Sequence, residues 1–303
     1  MEGRVDGRPE IRPGLSYMIC ATPRSGSTLL CEGLRGTGIA GRPEEHFQML
    51  QETGRPRRPG DYFQRSNDPG VWVLLDDPEF EDVFGDERRP ANEPTWAEVW
   101  GVSRFEEFLD RTLAEATTPN GVFGTKIMWA YFRDFVRLAR RSQRAWQVPP
   151  CGVPAAVFPN LRRYVWIHRR DTVRQAVSLW RALQTWRWRR DEDEDPGEEG
   201  VRLRFSFAAI DHLKLRIDEH NAAWQRFFRG CGAEPVEVVY EDLVRDYEGT
   251  IVRVVREVGI PAPGGVMVRR PRMRRQSDGL SEDWVRRYLE IRGAVPAGGE
   301  QGR

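Results

Sequence analysis

Apolar positions along the chain fall in short runs separated by longer amphipathic stretches. Tyr17 to Ala21, Val122 to Trp129, Tyr164 to Ile167 and Pro235 to Tyr240 are short, rich in apolar or β-branched residues, and bounded by turn residues. Each reads as a buried strand. Helical periodicity follows each of them: Leu29 to Leu34, about Tyr131 to Ser142, Thr172 to Trp186, and from Glu241 or Asp242 to Val258. Two further helical patterns span 95–116, through Trp96, Val99, Trp100, Phe105, Phe108, Leu109 and Leu113, and roughly 205–229. Strands alternating with helices predict an α/β fold, a parallel β-sheet flanked by helices. Residues 51–70 are rich in Pro, Gly and Arg and read as loop. Residues 1–14 read as a disordered leader, 15–290 as a single α/β domain, and 291–303 as a flexible tail.

Composition narrows the class. The 303 residues are 39% hydrophobic with eleven Trp, ample for a core. Charged residues reach 31%, yet 47 Lys+Arg against 46 Asp+Glu leave a net charge of +1. That balance argues against a nucleic-acid-binding protein, whose field is usually strongly basic. Seven acids fall within 191–200, which reads as a solvated loop. The polar leader does not resemble a signal peptide, and no stretch reaches the roughly 18 apolar residues of a membrane span. Cys20, Cys31, Cys151 and Cys231 are scattered without a C-x-x-C pair. They fit reduced thiols in a cytoplasmic protein better than a disulfide or zinc framework.

The chemistry begins at Pro23-Arg24-Ser25-Gly26-Ser27-Thr28, between the first strand and its helix. Free N–H groups and the helix dipole favour an anion there. Gly26 lets the backbone approach a ligand; Ser25, Ser27 and Thr28 add hydroxyls, and Arg24 a cation. An ordinary turn with Ser27 or Thr28 as N-cap is the bland alternative. A nucleoside triphosphatase loop needs a lysine after its last glycine. Ser27 stands there, so a 5′-phosphate bearing a transferable group fits better.

P-R-S-G-S-T-L-L followed by T-G-x-A-G-x-P-x-E resembles the bacterial sulfotransferases typified by trehalose 2-sulfotransferase. The resemblance implies a sulfotransferase fold, PAPS as sulfuryl donor with PAP as product, and no metal requirement. It implies that Arg24 to Thr28 cradle the 5′-phosphosulfate. Arg169, at the end of the third strand, and Ser178, two helical turns later, would hold the 3′-phosphate; a guanidinium and a hydroxyl can converge on one phosphate. Arg170 stands where the nearest pattern tends to have proline, so the choice between Arg169 and Arg170 is open. The stretch Arg274-Arg275-Gln276-Ser277-Asp278 resembles the family's closing segment over the nucleotide, with Arg275 a candidate ligand. Val239-Tyr240-Glu241-Asp242-Leu243 resembles a strand-end Y-E-D-L, read as structural through helix capping by an acid. Family members can pair as homodimers, so the resemblance makes a homodimer a possible state.

The same pattern places a glutamate after A-G-x-P-x, here Glu45, as general base toward the acceptor hydroxyl. His46 competes, because imidazole titrates near neutrality. Lys126 matches G-x-K-x-M-W and sits in an otherwise apolar strand, where burial without an anion is costly. It either stabilises the bridging oxygen, positions the acceptor, or forms a structural ion pair. Trp180, Gln184 and Trp188 share one helix face, and Trp129 and Trp186 add aromatic surface; this suits a sugar acceptor as well as it suits a core. The rival classes are a P-loop phosphotransferase or kinase, and a non-catalytic nucleotide-binding module.

Overall fold

The computed structural model describes residues 13–48, 57–64, 66–85, 95, 97–98, 101–102, 104–185, 202–269 and 279–294. Most of the leader, the acidic loop, Arg275, Trp186 and Trp188 lie outside these residues. Four strands, β1 (Leu15–Ala21), β2 (Val122–Met128), β3 (Leu161–His168) and β4 (Val236–Val239), form one sheet in the order β2-β1-β3-β4. Every pairing is parallel. All seven residues of β1 and of β2 are buried, which explains why they read as continuous runs: both faces of a parallel sheet are covered. β3 is exposed at Arg162 and Arg163 and buried only from Val165 to Ile167, so its first residues carry no strand signal.

The described residues gather into two compact units. One contains the sheet, and its core is built on β1 with Phe47, Phe135, Phe158, Trp224 and Phe228. The other comprises 58–88, 171–218 and the last helix, and packs around Trp180 with Phe63, Phe80, Ile210 and Trp284. Trp180 is wholly buried and its indole N–H donates to the Arg204 carbonyl at 2.8 Å. Gln184 brackets the same residue, accepting from the Arg204 N–H at 2.8 Å and donating to its carbonyl at 3.1 Å. Both side chains are therefore committed to packing.

Helix bounds differ from expectation where local chemistry intervenes. A helix over Pro69–Asp76 begins inside the stretch read as loop, because Asp68 accepts from the Gly70 N–H and Pro69 takes the first position. The stretch read as one helix up to Val258 is two, Tyr240–Arg245 and Tyr247–Val258, broken at Asp246, whose carboxylate caps the second. Of the 95–116 pattern, a helix spans Phe105–Ala116; Trp96, Val99 and Trp100 lie outside the described residues. The final helix, Gly279–Ala294, extends into the segment read as tail. No helix among the described residues is long and apolar enough to cross a membrane.

Candidate active site

Parallel strands end on one edge, and here β1, β2, β3 and β4 end at the Thr22–Gly26 loop, Trp129, Arg169 and Tyr240. Open α/β sheets bind ligands beyond these strand ends. The loop turns sharply, with Arg24 at φ 62° and Gly26 at φ 86°. Gly26, not Ser27 or Thr28, is the N-cap of α1 (Ser27–Gly36), and it offers no side-chain cap. The first turn of α1 also holds no acid. Its N–H groups and dipole are thus left for an anion. Ser25 is fully buried, and its Oγ has no hydrogen-bond partner. A buried orphan hydroxyl costs about 1–3 kcal/mol; a phosphosulfate oxygen would relieve it, so the loop fits the group that the resemblance implies.

Tyr240 was read only as part of a structural segment, but it lines this loop. Its ring fills the space where a Gly26 side chain would stand. The Arg169 guanidinium lies over the same ring, 4.6 Å from its centroid, and 3.8 Å from Glu241. Arg170 is differently placed: both its terminal nitrogens reach the Asp242 carboxylate, at 2.6 and 3.3 Å. Asp242 also pairs with Arg245. The capping expected of this segment is absent, since Tyr240–Arg245 starts without a side-chain cap; its acids hold arginines instead. Ser178 is half-buried on the Thr172–Thr185 helix, whose first turn is capped by Asp171 through the Arg174 N–H at 2.8 Å. It belongs to the second unit and Arg169 to the first.

The stretch Gly41–Glu45 runs against the outer edge of β2. Gly41, at φ 70°, lies so close that a Cβ would come within 2.7 Å of the Gly124 nitrogen. The Lys126 N–H donates to the Glu44 carbonyl at 2.9 Å, and the Glu44 carboxylate pairs with Arg35 of α1. That anchoring delivers Glu45 to Lys126: Nζ stands 3.1 Å from the Glu45 carboxylate and 3.4 Å from Thr28 Oγ1. Lys126 is only 4% exposed. Its burial therefore has a counter-charge, and the pair is also tethered through Thr28 to the start of α1.

His46 occupies another environment. Its Nδ1 lies 3.1 Å from Thr125 Oγ1, and its ring stacks at 6.4 Å on Phe123. Burial, then the Lys126 charge, lowers its pKa to about 4, so the ring is neutral at pH 7. A depressed histidine pKa leaves the unfolded chain binding more protons between pH 6.5 and 4. Stability should fall as pH drops through that window, by roughly 3 kcal/mol in full. Denaturant melts from pH 7 to 4 should show a flatter dependence in His46→Gln; equal slopes would rule out the buried neutral ring.

The Stf0 sulphotransferase family model matches residues 16–290. Trehalose 2-sulfotransferase of Mycobacterium tuberculosis (strain ATCC 35801 / TMC 107 / Erdman) is 34% identical over 286 residues, covering 92% of this chain and 94% of that protein. The Trehalose 2-sulfotransferase of Mycolicibacterium smegmatis is 33% identical over 281 residues, covering 90% and 94%. The solved sulfotransferase domain from the Synechococcus PCC 7002 olefin synthase is similar at 16% identity and a TM-score of 0.41, over 86% of this chain and 78% of that one. Since the family match runs from Ser16 in β1 to Glu290 in the final helix, and both curated relatives align over nearly their whole length, the chain belongs to the Stf0 sulphotransferase family.

Proposed function

We propose that this sulfotransferase uses PAPS as donor and sulfates a hydroxyl of a carbohydrate, trehalose first among candidates, with Glu45 as general base. The observation that carries the reading is Lys126: one buried ammonium touches both Glu45 and Thr28, so the candidate base stands beside the phosphate loop. Trehalose comes from the activity for which both mycobacterial relatives are named.

The α1 N–H groups with Ser25 and Thr28 would hold the 5′-phosphosulfate, while Arg169 would serve the 3′-phosphate. Arg169 is favoured over Arg170 because Asp242 already occupies the Arg170 fork. When bound, PAPS supplies a sulfuryl group already activated on phosphate. The chain's task is then positional: Glu45 accepts the proton of the acceptor hydroxyl, and Lys126 holds a fixed positive charge where negative charge grows. Glu45 is favoured over His46 because it touches the lysine that reaches Thr28, whereas the His46 Nδ1 is engaged by Thr125.

The test pairs binding with turnover. PAP at about 100 times its dissociation constant should stabilise the protein by about 2.7 kcal/mol in a thermal-shift titration. With PAPS carrying a sulfur label, radioactivity should move to trehalose. A shift with ATP-Mg²⁺ and none with PAP would turn the reading to a kinase. A PAP shift without label transfer to any of a panel of sugars would leave a nucleotide-binding module.

A further inference from the structure

Two polar groups near Glu45 have no role in the chemistry derived so far. Tyr131, in the first turn of the Trp129–Ala139 helix, is 2% exposed, and its buried hydroxyl makes no hydrogen bond of good geometry, although it faces the Glu45 carboxylate and the Met128 backbone. It follows Lys126 by five residues, across the end of β2. Arg57 donates through Nη2 to the Ala130 carbonyl beside it, while its Nε–H is buried and lacks a partner. Buried donors are rarely left orphaned, because each forfeits its bonds to water. Two at the start of one helix, beside a carboxylate proposed to deprotonate a hydroxyl, describe a place for an oxygen-rich ligand.

The electrostatics put that place on the acceptor side. Burial raises the Tyr131 pKa, the Glu45 carboxylate raises it further by its charge and as a hydrogen-bond acceptor, and the Met128 backbone and then the Arg57 guanidinium oppose them. The charged neighbours of the phenol are thus Glu45 and Arg57. The loop after β1 reaches Glu45 through Thr28 and Lys126. An anion held by the loop therefore has its own donors, and the orphan pair is left for the nucleophile's molecule.

We propose that the Tyr131 hydroxyl and the Arg57 Nε–H form an acceptor subsite, donating hydrogen bonds to a hydroxyl oxygen of a polyol next to the hydroxyl that faces Glu45. The proposal rests on the acceptor side of the function proposed above and adds the residues that hold the molecule. A polyol suits them because it offers oxygens on neighbouring carbons, one to be attacked and one to be gripped. Arg57 supplies a charged, planar donor and Tyr131 a rigid one with few rotamers to fix.

Tyr131→Phe removes the phenol donor and keeps the ring; Arg57→Lys keeps the charge and removes the Nε–H together with the Nη2 bond to Ala130. Trehalose binding to the PAP-loaded full chain, measured by calorimetry, should weaken about 3–10-fold in Tyr131→Phe and about 10–100-fold in Arg57→Lys. The PAP dissociation constant should stay within about twofold in both, which excludes general damage. In turnover assays the same variants should raise KM for trehalose more than they lower kcat. If Tyr131→Phe instead lowers kcat and moves the acid limb of the pH–rate profile with trehalose binding unchanged, Tyr131 orients Glu45 and the subsite is wrong. Unchanged binding in both variants, or no trehalose binding by the wild type, also overturns it. Label transfer by the wild type is read separately, so binding without transfer indicts the sulfotransferase mechanism and not the subsite.

Discussion

Glu45→Gln should lower turnover by roughly 10²–10⁴-fold, the usual contribution of a positioned general base, while PAP continues to bind. The amide keeps the size and hydrogen-bonding reach of the carboxylate but cannot take the acceptor's proton. It also removes the counter-charge 3.1 Å from a lysine that is almost fully buried. Losing one member of a buried pair is destabilising, so the ligand-free variant should melt below wild type. An anionic nucleotide placed beside Thr28 returns negative charge to Lys126, and PAP should therefore stabilise the variant at least as much as it stabilises the wild type. Kinetics with labelled PAPS and PAP-dependent melting measure both. Near-normal turnover would end the role of Glu45 as base; loss of PAP binding together with turnover would make the pair structural.

Gly26→Ala should be the most damaging single change in the phosphate loop. Alanine at φ 86° carries a left-handed penalty of about 1–2 kcal/mol, and its Cβ would be driven into the Tyr240 ring. Overpacking of that kind costs typically about 1–3 kcal/mol. The ring cannot yield quietly, because Arg169 rests on its face. The expected result is a protein less stable by about 2–5 kcal/mol in urea melts, with PAP affinity reduced at least tenfold by calorimetry. Affinity equal to wild type in a folded Gly26→Ala protein would mean that this loop is not the phosphate cradle.

Much of this was legible in the chain. β1 and β2 announce themselves because both faces are buried, so apolar residues run without alternation. Lys126 announces itself for the complementary reason: an ammonium in such a strand requires a counter-charge. Its partner did not follow from local pattern, since Glu45 reaches it along a loop held by Glu44 and Gly41. Resemblance singled out Glu45, but the contact belongs to the tertiary structure. The helix at Pro69 carried its own signal in Asp68-Pro69, outweighed by the loop-like composition around it. The two-unit arrangement left no mark on composition or periodicity. Tyr240 and Tyr131 carry no signal for a common reason: an aromatic ring facing a site has the same local pattern as one in a core.

The strip that carries Glu45 to Lys126 has a second consequence. β2 is an end strand of the described sheet, and an uncovered end strand is a template on which another chain can add its own strand. Here the Lys126 N–H is taken by the Glu44 carbonyl, Phe123 is bridged by Thr117, and the Val122 carbonyl accepts from the Thr118 N–H at 3.0 Å. Changes that loosen Gly41–Glu45 should therefore expose a sticky margin as well as displace a carboxylate. Some inactive variants in this strip would then be lost to aggregation, and a concentration series in light scattering would separate them from those that have lost only their chemistry.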